Sequence, residues 1–363
     1  MRTTTMPMAR ISNALKIVNF TRLCASLRDQ EKIGLFFPYL KISILLILIY
    51  LPEEIFAQEK RYEFEKGLMG SPFRLVFYTT SDTLAQRAAL LAFGRIEALN
   101  EVLSDYRDGS EINRLSAQSG SGKWVPVSDD LYRAISLSKD VSQRTSGAFD
   151  ITIGPVVQLW RRALRRNVFP SPDVVAESRQ AVGYRYMKLR PQGQKVKLTQ
   201  PGMRLDVGGI GKGYAADEAV AVLKKLGINA VLVDAGGDLT LAEPPPGKPG
   251  WEVEITSGLP ADSTTTLLLS NVGIATSGAT YRYLEHEGVR YSHIVNPQTG
   301  VGLRYHVRTT VIAPNGTLAD ALATAFSVAG IEDSKRIVEN FPNVKVWLLE
   351  MNNGSVKSWN TLK

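Results

Sequence analysis

Apolar positions recur along the chain with two periods, and these divide it into segments of opposite habit. Residues 62–78 alternate apolar and polar around Met69-Gly70, with Phe73, Leu75 and Phe77 on one face, which predicts a strand. Over 82–103 the spacing is helical, with Leu84, Ala88, Leu91, Ile96, Leu99 and Val102 directed inward. Ser110 is placed to cap a short helix with Tyr106 at its mouth, and Ser128 caps a longer one carrying Leu131, Ile135 and Val141. Ser171-Pro172-Asp173 starts another helix, with Pro in its first turn. Residues 186–198 form a hairpin through Pro191-Gln192-Gly193, and 229–233, 251–256, 264–269 and 308–313 read as strands. Ala275-Thr276-Ser277-Gly278 reads as a turn leading into a hairpin that ends at Tyr291-Ser292-His293. Residues 317–329 are helical, small and apolar, hence buried. A last hairpin joins 344–349 to 355–359 across Asn352-Asn353-Gly354. Strands, interspersed helices and several hairpins predict a mixed α/β or α+β fold. No repeat or composition break divides the chain after residue 58.

The densest punctuation lies at Leu205-Asp206-Val207-Gly208-Gly209-Ile210-Gly211-Lys212-Gly213-Tyr214. An apolar run ends in an acid and a glycine turn follows. Next comes an amphipathic helix with Ala215, Ala219, Val222, Leu223 and Leu226 on one face. Glycines admit close backbone approach and a helix N-terminus favours negative charge, so this reads as a phosphate or nucleotide corner. A plain strand-to-helix turn gives the same local pattern. The spacing is neither that of a P-loop nor Gly-x-Gly-x-x-Gly, and no acid follows where a nicotinamide-binding fold would need one. A second corner, Asp234-Ala235-Gly236-Gly237-Asp238, follows an apolar strand.

Composition narrows the chemistry. The 363 residues are 44% hydrophobic and 21% charged, ordinary for a globular protein. The single cysteine, Cys24, precludes a disulfide within the chain, and three histidines argue against zinc. The apolar run 42–51 is ten residues, short for a membrane span. Basic residues precede it and Glu53-Glu54-Ile55-Phe56-Ala57-Gln58 follows, which is the grammar of a signal peptide cleaved after Ala57, or of an uncleaved anchor. Residues 1–41 are long for its leading part, so a later start of translation is expected. Two regions are therefore expected: 1–58, an N-terminal extension with the signal peptide or anchor, and 59–363, the folded domain. Residues 1–58 hold 7 basic and 4 acidic side chains, leaving +5 of the net +8 on the rest. That mild excess suits an anionic ligand, and no basic block with interleaved aromatics suggests nucleic acid.

Asp320 and Thr324 are four apart and share one face of the buried helix. A carboxylate and a hydroxyl are hard oxygen ligands that suit Mg²⁺, and Mn²⁺ suits the same set. The competing reading is an exposed Asp with a Thr bonded back to its own helix. His293 stands at a strand end before the turn Asn296-Pro297-Gln298-Thr299-Gly300, where an imidazole can accept a proton from a hydroxyl, or be a hydrogen-bonded core residue.

Seven of these segments, in order from about Met69 to the C-terminus, closely resemble the ApbE family, the FAD:protein FMN transferases. They are Ser110-Glu111-Ile112-Asn113-Arg114-Leu115, Gly147-Ala148-Phe149-Asp150 with Gly154-Pro155, the 205–215 corner, Ala235-Gly236-Gly237-Asp238, Ala275-Thr276-Ser277-Gly278, Ser292-His293-Ile294 with Pro297 and Thr299-Gly300, and Ala319-Asp320-Ala321 with Ala323-Thr324. The resemblance implies an ApbE-like fold, mixed sheets flanked by helices, with FAD bound in a cleft. It implies a Mg²⁺-dependent enzyme of the bacterial envelope, on the periplasmic side and released or tethered to the inner membrane. FAD is the substrate: FMN passes to a threonine or serine of an acceptor flavoprotein, a subunit of an envelope electron-transfer system, and AMP leaves. The family's FAD contacts fall on Met69, Tyr106, Gly147, Ala148, Phe149, Asp150, Asp206, Lys212, His293 and Ile294. Its metal ligands fall on Asp320, Thr324 and the Gly209 carbonyl, and His293 takes the catalytic role. Two departures stand out. Asn296 replaces the family's usual Asp, and the lipid-bearing Cys of many members is absent. The alternatives are a Mg²⁺-dependent FAD pyrophosphatase, in which water replaces the acceptor, and a non-catalytic periplasmic FAD-binding protein.

Overall fold

The structure is a computed structural model that describes residues 58–256, 264–278, 283–352 and 355–361. The expected export segment and the Asn353-Gly354 turn lie outside them. In chain order the elements are β1 (Lys60–Leu68), β2 (Ser71–Thr79), α1 (Asp82–Leu103), α2 (Glu111–Ser116), β3 (Val125–Pro126), α3 (Asp129–Arg144), α4 (Gly154–Arg166), α5 (Pro172–Arg179), β4 (Met187–Arg190) and β5 (Lys195–Leu198). Then follow α6 (Gly211–Lys225), β6 (Val231–Ala235), β7 (Leu239–Leu241), β8 (Trp251–Thr256), β9 (Thr264–Leu269), β10 (Val272–Gly278), β11 (Tyr283–His286), β12 (Val289–Ser292), β13 (His306–Ala313), α7 (Gly316–Ile337), β14 (Lys345–Asn352) and β15 (Ser355–Asn360).

An eight-stranded sheet in the order β1-β2-β6-β7-β10-β13-β14-β15 carries the fold, with every neighbouring pair antiparallel. Its central strands are covered on both sides, which is why β2 buries Phe73, Leu75 and Phe77 and also Val76 between them. The helices α1, α6 and α7 pack on one face around Phe77, Ile96, Leu223 and Phe326. On the other face the β8–β9 ribbon lays Trp251, Val253 and Ile255 over Val76, Ile274 and Ile312. Smaller units flank this body: the sheet β3-β5-β4, and the β11–β12 hairpin packed on α4 through Leu284, Tyr291 and Trp160.

Four local expectations need correcting. Residues 62–78 are two strands, not one, because Met69 and Gly70 both take positive φ and reverse the chain. Ala275 to Gly278 is not a turn but the end of β10, its backbone paired along Val311 to Arg308 of β13. The helix read as 317–329 runs on to Ile337 with a break at Gly330. Leu91 faces outward, 43% exposed, and α1 packs instead through a near-continuous stripe of alanines with Phe93, Ile96 and Leu99. Among the described residues no helix is long and apolar enough to cross a membrane.

Candidate functional site

The two helices that frame the site touch backbone to backbone. Gly213 in the first turn of α6 abuts Gly316 at the start of α7. A side-chain carbon on Gly213 would lie 2.5 Å from the Gly316 carbonyl carbon, closer still to its oxygen, and 2.9 Å from the Thr317 nitrogen. Asp217, one turn further along α6, locks this approach. Its carboxylate accepts the N–H of Gly316 and of Thr317, both at 2.8 Å, and the Thr240 hydroxyl at 3.0 Å. Asn315 completes the cap by accepting the Leu318 N–H at 2.9 Å. Asp217 thus satisfies donors that a helix start otherwise leaves open. Burial raises its carboxyl pKa, partly opposed by Thr317, Gly316 and Thr240.

The junction delivers Asp320 and Thr324 to the floor of a cleft of about 470 Å³, within the range of small-molecule sites. Asp320 is only 6% exposed and accepts the Gly213 N–H at 3.1 Å. Burial, then the charge of Asp238, push its pKa up to about 7 against the pull of Lys212. Thr324 sits against Gly209, where an added side-chain carbon would meet its hydroxyl oxygen at 2.8 Å. Only glycine leaves that backbone and that hydroxyl side by side. Ile210, at the N-cap of α6, offers no side-chain hydrogen bond to the first turn. The first-turn N–H groups are instead taken within the protein, Gly211 by the Val207 carbonyl at 2.8 Å and Gly213 by Asp320, which leaves the Lys212 side chain as the cationic group at this end of the cleft.

Lys212 pairs with Asp238, whose other oxygen accepts the Thr276 N–H at 3.1 Å. Burial works against the lysine's charge, but Asp320, Asp238 and Asp234 outweigh it and raise its pKa. Asp206 is held by the Gly208 N–H and by Arg161, each at 2.8 Å. Burial, then the nearby Asp105, raise its pKa to about 6, with Arg161 opposing. Asp150 also borders the cleft, yet both its oxygens are committed to the chain: one accepts Thr152 N–H and hydroxyl, the other the Tyr184 N–H at 2.7 Å. Its place is to pin the loop carrying Ala148 and Phe149, which also line the cleft. Burial raises its pKa.

Tyr106 and His293 line the cleft with exposed side chains, and Ile294 lies beside the histidine. Asn296 turns the chain after them, its side-chain oxygen accepting the N–H of Gln298 at 2.8 Å and of Thr299 at 3.3 Å. An aspartate would make the same turn, so the departure at 296 is accommodated by loop geometry. Of the residues singled out in the sequence, Tyr106, Ala148, Phe149, Asp150, Asp206, Gly209, Lys212, His293, Ile294, Asp320 and Thr324 converge on the cleft. Met69, at the β1–β2 turn, is not among its lining residues. Gly147 lines a neighbouring hollow beside Tyr184 instead. Arg161 and Asp105 went unread. The signal for α4 was present, since Val156, Leu159, Trp160 and Ala163 repeat at helical spacing after Gly154-Pro155.

Comparison with known proteins bears on the whole chain. A model described as the ApbE family matches residues 69–348. A protein of Treponema pallidum named FAD:protein FMN transferase is 32% identical over 305 residues, covering 79% of this chain and 84% of its own. One of the same name from Klebsiella pneumoniae is 28% identical over 299 residues, covering 80% and 85%. The crystal structure of the apo flavinyl transferase ApbE of Pseudomonas stutzeri superposes with a TM-score of 0.75 at 25% identity, covering 84% of this chain and 96% of that one.

Proposed function

The chain belongs to the ApbE family, and from that premise we propose that it transfers FMN from FAD to a threonine or serine hydroxyl of a target protein, releasing AMP. The observation that carries this reading is the convergence in one cleft of three kinds of group: the Lys212 ammonium suited to anions, oxygen donors on α7, and an aromatic ring with an imidazole in the wall. A protein that only stored FAD would need the first and last of these. The buried Asp320 beside Thr324 goes beyond that need.

The donor chemistry fits a divalent cation. Asp320 is a buried carboxylate whose ionised form burial disfavours, and a cation beside it compensates that charge. Among the described residues no group of three or more His, Cys, Asp or Glu comes together as a metal centre. The protein's share would then be one carboxylate, the Thr324 hydroxyl and the Gly209 carbonyl, a hard-oxygen set suited to Mg²⁺ or Mn²⁺. When bound, the cation supplies charge neutralisation at pyrophosphate oxygens.

The chain's own residues supply the rest. Lys212 holds the anionic pyrophosphate, and Tyr106 stacks on a ring of FAD. His293 accepts the proton of the acceptor hydroxyl as its oxygen attacks the FMN phosphorus. The bond from that phosphorus to the bridging oxygen breaks, and AMP leaves with the electron pair. Positioning and electrostatics carry such a transfer. The apolar run before Ala57 supports export to the periplasmic side of the envelope, where the acceptor would be a flavoprotein subunit of an inner-membrane electron-transfer system.

The test combines purified protein, FAD, Mg²⁺ and a small acceptor carrying the family-type motif Asp-Gly-x-Ser/Thr-x-Ala-Thr. Covalent flavin fluorescence on the acceptor in a denaturing gel, lost with EDTA, is the expected result. AMP release with no labelled acceptor points to hydrolysis instead. Bound FAD with neither product leaves a binding protein.

A further inference from the structure

Arg161 enters the cleft wall from α4 and joins groups from two other parts of the chain. Its guanidinium donates to Asp105 and, at 2.8 Å, to Asp206, while its central carbon lies 4.1 Å from the centroid of the Tyr106 ring. The two carboxylate side chains are nearly enclosed, whereas Tyr106 is 73% exposed. A guanidinium is a planar fork with a free face. Here two carboxylates fix the fork and the face is left to the tyrosine. An exposed tyrosine otherwise keeps its rotamer freedom until a ligand orders it, and that ordering opposes binding.

We infer that Arg161 is a positioning residue for FAD: it holds the Tyr106 ring as a ready platform for a planar ring of the dinucleotide. The inference rests on the FMN-transfer reading above. Lysine at 161 keeps the charge but has neither the plane nor the fork, so it separates positioning from charge.

The test measures FAD binding by equilibrium dialysis in EDTA, where turnover is off, for wild type, R161K, Y106A and the double variant, with thermal melts to confirm folding. R161K and Y106A should each weaken FAD by about tenfold, the upper range of a cation–π contact. The double variant should be weaker than Y106A alone by no more than about twofold, because the arginine acts through the ring. In the transfer assay R161K should raise KM for FAD while changing kcat by less than about threefold. Should R161K fail to fold, R161K/D105N removes the like-charge repulsion and carries the same comparison. Unchanged FAD binding in R161K, or effects of R161K and Y106A that multiply, overturns the inference. A wild-type protein that binds no FAD overturns the functional reading itself, a different result from binding that R161K leaves intact.

Discussion

Gly213 is where the fold and the site depend on one missing side chain. In Gly213→Ala the new carbon would stand 2.5 Å from the Gly316 carbonyl carbon and closer to its oxygen. Ordinary contact requires roughly 3.5 Å, so α6 and α7 must part by about 1 Å. Gly213 has ordinary helical φ, unlike the positive-φ glycines, so alanine would otherwise stabilise α6 by about 0.5–1 kcal/mol. Overpacking costs about 1–3 kcal/mol, and with backbone as the obstacle the upper end applies, which leaves a net loss of about 2 kcal/mol. The separation also lengthens the Gly213–Asp320 hydrogen bond and carries Thr324 away from Gly209. A displacement of about 1 Å at reacting groups lowers rate on the order of 100-fold. Urea unfolding and acceptor labelling measure the two effects. Gly94→Ala in α1 is the control: an added carbon there has nothing within 4 Å, so the same exchange should stabilise the protein and leave labelling unchanged. If Gly213→Ala unfolds at the wild-type urea concentration and labels at the wild-type rate, the helix junction does not place the site.

Three further outcomes follow from the same geometry. Asp217→Ala strips the acceptor from the N–H groups of Gly316 and Thr317 and should destabilise the protein by about 3 kcal/mol in urea unfolding; a loss below 1 kcal/mol would show that Asn315 alone caps α7. Asp206, faced by Asp105 and Arg161, keeps its proton up to about pH 6 when folded but only to 3.8 when unfolded. The stability this gives is present in full below pH 3.8 and lost as pH rises through 6, so the stability of Asp206→Asn relative to wild type should increase by about 2 kcal/mol between pH 4 and pH 7; a gap that stays flat contradicts the shift. His293→Ala should lower acceptor labelling by about 100-fold or more at saturating FAD, and labelling at the wild-type rate would remove it as the base.

Periodicity was enough to place α1, α3, α6 and most strands, because amphipathic faces are written in consecutive residues. It misjudged the 275–278 segment, where Thr, Ser and Gly suggest a turn but a paired neighbour, β13, holds them in a strand. The candidate site was legible to the extent that its groups sit in short motifs: Asp206 with Gly209 and Lys212, Asp320 with Thr324, and His293. The Arg161 cluster was not, because its partners lie 56 and 45 residues away and only packing brings them together.

The sequence by itself determined the family, the helical face shared by Asp320 and Thr324, and the two glycine corners, since each depends on residues a few positions apart. Tertiary structure decided what those glycines do. Gly209 and Gly213 looked like openings for a ligand's phosphates, yet one is pressed against Thr324 and the other against the backbone of α7. It decided likewise that Asp150 spends its carboxylate on its own loop, while Asp206 shares an arginine with Asp105. The physical reason is the same in each case. A side chain's type fixes which bonds it can make, but its partners are chosen by the close packing of segments distant in the chain.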